Sequence, residues 1–143
     1  MRWRHPALAL LLFALTHAHT AFGEADVSVS DAWIREAPSG MAVMAGYMAL
    51  TNNTARPQIL VAASSSEFGD AMIHRTIIKD GMARMDHTSQ VELAPNANLV
   101  FAPGDYHLML MNPKRALRTG DRIVINLEFR GGAILPVTFV VRK

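Results

Sequence analysis

The stretch Arg122-Ile-Val-Ile-Asn-Leu-Glu-Phe-Arg130, then Gly131-Gly132, then Ala133-Ile-Leu-Pro-Val-Thr-Phe-Val-Val141 decides the fold class. Successive side chains of a strand point to opposite faces. Ile123, Ile125, Leu127 and Phe129 therefore share one face, and Leu135, Val137, Phe139 and Val141 repeat the alternation on the way back. Two period-2 runs around Gly-Gly predict a β-hairpin. Working outward, Val27, Val29 and then Trp33 alternate with polar neighbours. Further apolar runs lie at 42–51, 57–63, 71–79, 82–88, 98–101 and 106–111. Turn chemistry separates them: Asn52-Asn53, Asp80-Gly81, Pro95-Asn96, Pro103-Gly104, Asn112-Pro113 and Thr119-Gly120-Asp121. No window carries a helical repeat. Short strands with turns at this spacing predict an all-β sandwich or barrel.

Composition narrows the chemistry. The chain has 143 residues, half of them apolar, which suits one globular domain and is too apolar for disorder. There is no cysteine. That excludes a disulfide scaffold, a thiol nucleophile, a thiolate zinc site and a blue-copper centre of the His₂Cys kind.

The first residues read as an address. Arg2 and Arg4 precede the apolar run Ala7–Leu15, and Ala21-Phe22-Gly23 places small residues at positions −3 and −1. This pattern predicts a cleaved secretory signal peptide over 1–23 and a single domain over 24–143. The run falls short of the ~20 apolar residues that a membrane-spanning helix needs, so no stable membrane insertion is expected after cleavage. Cleavage removes two basic charges and no acids, leaving 12 basic and 12 acidic residues scattered along the chain. No basic stripe remains, so no nucleic-acid partner is expected.

Beyond residue 23 stand three histidines, His74, His87 and His107, and eight methionines at 41, 44, 48, 72, 82, 85, 109 and 111. Methionine ordinarily fills gaps in a core, and Met44 and Met48, on an otherwise apolar strand, are assigned there. A subset differs. His107 and Met109 are two apart in Tyr106-His-Leu-Met-Leu-Met111 and project from one face, with Met111 continuing the row. Asp80-Gly81 favours a two-residue type I′ turn. Such a turn pairs Lys79 with Met82, Thr76 with Met85 and His74 with His87, so that His74 lies diagonal to Met85 on one face, about 7–8 Å apart at the backbone. Met82 then points the other way. Thioether sulfur is a poor ligand for Mg²⁺, Ca²⁺ or Zn²⁺ but suits Cu(I), and imidazole adds a donor without adding charge. From the residues alone, a soft-metal site and a set of core methionines with incidental histidines both remain open.

The spacing His74, ten residues, Met85, twenty-one residues, His107, one residue, Met109 resembles the H(M)x10Mx21HxM motif of the PCuAC family of periplasmic copper chaperones. The resemblance runs from Asp31-Ala32-Trp33 through Ala45-Gly46-Tyr47 and Leu50-Thr51-Asn52 to the last strand, and includes Pro103-Gly-Asp-Tyr-His-Leu-Met-Leu-Met111. It implies a cupredoxin-like Greek-key β-sandwich in the periplasm, binding Cu(I) through His74, Met85, His107 and Met109. It also implies copper delivery towards the CuA centre in subunit II of cytochrome c oxidase, directly or with a Sco-type protein. Two departures stand out: Arg75-Thr76 follow His74 where the optional Met would be, and Lys143 ends the sequence without a Met/His-rich tail.

Three other readings compete. Copper buffering or resistance would use the same site without a dedicated recipient. A metal-free structural β-sandwich module would bury the methionine row. An exported enzyme would need a nucleophile elbow or a paired-carboxylate site; Ser64-Ser65-Ser66 form a polar loop with neither, so catalysis is not expected. The motif does not use His87, which is read as an exposed hairpin residue in preference to a fifth, outer ligand or a partner holding another imidazole. Trp33 and Tyr47 are read as core aromatics.

Overall fold

The computed structural model describes residues 26–143. The expected leader over 1–23 lies outside the described residues. The described chain forms β1 (Val27–Arg35), β2 (Val43–Asn52), β3 (Gln58–Ser64), β4 (Phe68–Lys79), β5 (Met82–His87), β6 (Val91–Leu93), β7 (Asn98–Phe101), β8 (Tyr106–Pro113), β9 (Arg122–Phe129) and β10 (Ile134–Arg142). Among these residues no helix is long and apolar enough to cross a membrane.

The strands follow the order β5-β4-β8-β2-β1-β10-β9-β3-β6, with β7 also paired to β2. β1 joins the two halves, antiparallel to β2 and parallel to β10. β8 sits between β4 and β2, far from both in sequence, the crossed connectivity of a Greek key. The two halves make an all-β sandwich around one core. Ile73, Met44, Met48, Leu50, Leu108 and Leu110 enter it from one half; Leu60, Ile123, Ile125, Leu127, Phe129 and Phe139 enter from the other. The halves pack closely at Gly46, where a Cβ would lie in ordinary contact, 3.4 Å from Leu108 Cβ and 3.7 Å from Phe139 Cε1.

The hairpin that decided the fold class forms as expected. Leu135 pairs with Leu127, Val137 with Ile125 and Phe139 with Ile123. Ile123, Ile125, Leu127 and Phe129 are all but fully buried. Each such side chain contributes about 1.5–3 kcal/mol by leaving water.

Three expectations need correction. Trp33 is half-buried and stands on the outer face. Between Ser30 and Trp33 the register with β2 gains one extra residue, and Asp31 takes φ +48°. A bulge of this kind flips the parity of every residue beyond it. Val27 and Ile34 consequently face the core, while Trp33 turns out against Tyr47, ring centroids 4.7 Å apart. Tyr47 is buried on that outer face, beside the Arg35 guanidinium rather than in the sandwich. Asn112-Pro113 does not break the strand: β8 runs through Pro113, with Asn112 absorbing the irregularity at φ +52°. β6 carried no expectation to correct, because Val91-Glu-Leu93 is too short to show a period.

Buried polar groups show how strictly the fold satisfies its donors and acceptors. Asn52 is fully buried; its amide donates to the carbonyls of Arg56, Leu93 and Ala94, and its oxygen accepts from the Thr54 N–H and hydroxyl. That network ties the end of β2 to β6.

Candidate metal centre

The site is assembled by register on the outer face of β5, β4, β8 and β2. Asp80 and Gly81 take φ +53° and +75°, as a type I′ turn requires. The turn sets the pairs Lys79 with Met82, Thr76 with Met85 and His74 with His87. On the other side of β4, His74 pairs with His107 and Met72 with Met109. Residues paired across strands share a face. His74, Met85, His107 and Met109 therefore stand on one face, together with Met72, His87 and Met111.

His74 occupies the centre of a row. Its ring centroid lies 5.9 Å from that of His107 and 5.7 Å from that of His87. Both ring nitrogens are covered, and neither has a hydrogen-bond partner. A buried polar atom without a partner costs about 1–3 kcal/mol, and a fold that satisfies Asn52 so fully leaves this one histidine with an unused lone pair. Burial, then the charges that His107 and His87 would carry, hold its pKa below the ordinary 6.5. The ring is neutral at pH 7, the form that binds metal.

His107 is differently placed. It is buried, and its Nδ1–H donates to the Asp105 carbonyl at 3.1 Å. Since a carbonyl only accepts, this bond fixes the tautomer and leaves the Nε2 lone pair available, the usual outer-shell arrangement of a ligating histidine. The same carbonyl accepts from Thr76 N–H at 3.1 Å, locking the loop before β8 to β4. Arg75 reinforces it, with Nε 2.9 Å from the Asp105 carboxylate and the guanidinium over the Tyr106 ring.

The thioethers of Met85 and Met109 line an open groove of about 530 Å³ together with His107, Val43, Tyr47 and Pro103. Met85 is 66 % exposed and Met109 half-buried; neither belongs to the core, whereas Met44 and Met48 do. Among the described residues no three His, Asp or Glu side chains are placed to hold one ion. Thioether sulfur and neutral imidazole share this face, donors that suit a soft monovalent ion.

Residues 27–141 match the family described as "Putative lipoprotein LpqE-like". The chain belongs to the LpqE-like family. A relative from Leifsonia xyli, the putative lipoprotein Lxx21020, is 33% identical over 97% of this chain and 89% of its own length. The uncharacterized protein RP573 of Rickettsia prowazekii is 36% identical over 58% of this chain and 46% of its own length. Among solved structures, apo-DR1885 from Deinococcus radiodurans is 28% identical, with a TM-score of 0.66 over 100% of this chain and 97% of that one. The Cu(I) form of DR1885 is 27% identical at the same TM-score of 0.66, covering 91% and 85%. The copper-bound PCuAC domain from PmoF2 shares the fold, at 20% identity and a TM-score of 0.69 over 82% and 92%. This LpqE-like chain is thus PCuAC-like, with the cupredoxin-like sandwich that its sequence implied.

One feature of the face follows from the expected pairing and one escaped the sequence reading. His87 is exposed, as expected, but its ring meets His74 edge-on. Met72 faces Met109 across β4 and β8; its position two residues before His74 was a signal available in the sequence.

Proposed function

We propose that this LpqE-like protein is an exported Cu(I)-binding metallochaperone, a binding protein and not an enzyme, whose ligands are His74, Met85, His107 and Met109. The observation that carries this is His74: an imidazole with both nitrogens covered and unpartnered, set beside a tautomer-locked His107 and flanked in register by two non-core thioethers. All four donors are neutral, so a bound monovalent ion keeps its charge. No thiolate is present to hold the ion too firmly or to oxidise outside the cytoplasm. The exposure of Met85 supports release by ligand exchange with an acceptor.

Copper in the Cu(I) form of DR1885 and in the PmoF2 domain supports the choice of metal. The leader-like residues 1–23 and the lipoprotein description of the family support export, which we assign to the periplasm, with 24–143 as the copper-binding domain. Delivery towards the CuA centre of cytochrome c oxidase, directly or through a Sco-type protein, rests on the PCuAC resemblance. A metal-free structural module fits less well, because it needs Met85 and Met109 in the core.

Competition between the exported protein and a Cu(I) chelator of known affinity tests the proposal. One Cu(I) should bind per chain. Failure to compete would end it. Deleting the gene separates delivery from buffering: a carrier loses oxidase activity at low copper, whereas a buffer loses copper tolerance.

A further inference from the structure

The proposed site uses one flank of His74, and the other flank carries the same chemistry. His87, His74 and His107 form one row across β5, β4 and β8. His87 and His107 flank His74 from opposite strands, β5 and β8, rather than converging on it from one side. Each instead makes a separate pair with it, at centroid distances of 5.7 and 5.9 Å.

Met72 completes the second set. It precedes His74 by two residues on the same face. Because His74 pairs with His87, Met72 stands diagonal to His87 across β4 and β5, within reach of a long side chain. The Thr88 N–H donates to the Ile73 carbonyl at 2.8 Å, so the end of β5 stays docked against β4 and holds His87 beside Met72. The hydrogen bond that fixes the tautomer of His107 has no counterpart on His74. No hydrogen bond therefore commits the His74 ring to one flank, and one and the same nitrogen serves both.

We propose that His74, His87 and Met72 form a second station for the same ion, and that Cu(I) passes between the two stations by pivoting on His74. The inference rests on the assignment of His74, Met85, His107 and Met109 as the first station. Movement exchanges Met85, His107 and Met109 for His87 and Met72 while one Cu–imidazole bond persists. Every donor is a neutral lone pair, so no electron or proton moves. The exposed His87 places the second station at the sheet edge, where an acceptor reaches it without entering the groove.

Silver(I), a soft monovalent ion without redox chemistry, tests this by NMR of methionine methyls and histidine rings in protein recovered from the periplasm. In the unmodified protein, one equivalent should shift the Met85 and Met109 methyls. In a Met85→Leu/Met109→Leu variant, which keeps side-chain volume, one equivalent should shift the Met72 methyl and the His87 ring. Adding His87→Ala should then lower the residual affinity at least about tenfold, with the metal-free amide spectrum confirming that the fold is kept. Static Met72 and His87 signals in the double variant overturn the second station while leaving the first intact. Static Met85 and Met109 signals in the unmodified protein overturn the first station, and the pivot with it.

Discussion

His74 and His107 face each other across β4 and β8 with ring centroids 5.9 Å apart, one with no hydrogen bond to either nitrogen and the other held by the Asp105 carbonyl. The pair joins a ligand whose direction is fixed to one whose direction is open. Removing either should therefore cost more than removing an exposed thioether. His107→Ala and Met109→Ala should each weaken Cu(I) binding by at least the ~10–100-fold that losing an outer-shell partner costs. Met85→Ala, at a position 66 % exposed, should cost less. Chelator competition measures all three.

The pH response follows from His74. In the unfolded chain this residue titrates near the ordinary 6.5, and in the fold burial and its histidine neighbours lower that value. Above 6.5 neither state holds the proton, and stability from this residue does not change with pH. As pH falls below 6.5 the unfolded state takes up the proton first, so apoprotein stability declines. Thermal melts of apoprotein at pH 7.5, 6.5 and 5.5 should show this fall, and His74→Asn should reduce it. Cu(I) affinity should persist to lower pH than an ordinary imidazole would allow and drop once pH falls through the lowered folded-state value of His74, because protonation removes the donor.

Turn length controls whether Met85 reaches the site. Inserting one glycine between Asp80 and Gly81 shifts the parity of β5 and sends Met85 to the face now occupied by Met82. Cu(I) affinity should fall about as far as in Met85→Ala, with the sandwich intact by circular dichroism. Gly81→Val should act in the same direction, since φ +75° strains a β-branched residue.

Core and site should separate cleanly. Leu110 is fully buried beneath the β8 residues that carry the ligands, and Leu110→Ala should cost about 2–5 kcal/mol of stability. Below the melting transition, Cu(I) affinity should change little. A large loss of affinity with a small loss of stability would mean that the outer face depends on core packing more than the register implies.

How far the sequence could reach is clearest in single residues. Period-2 alternation gave the β9–β10 hairpin, and Asp80-Gly81 gave the β4–β5 pairing, because both depend on neighbours in the chain. The parallel pairing of β1 with β10 and the insertion of β8 between β4 and β2 join segments with no local signal for each other. Trp33 was misplaced because a bulge at Asp31 adds one residue and inverts the face, and alternation cannot register an unseen insertion. The common face of His74, Met85, His107 and Met109 was half legible. HxM and the hairpin each set a face, but only the β4–β8 register makes the two faces one. His87 read as an ordinary exposed hairpin residue, since solvent exposure and contact with His74 coexist at a strand end.

X-ray absorption at the copper edge on the Cu(I)-loaded protein probes the donor set most directly. The account predicts two nitrogen and two sulfur neighbours, with sulfur scattering diminished in Met109→Ala. A first coordination sphere of nitrogen and oxygen alone, unchanged by that substitution, would contradict it.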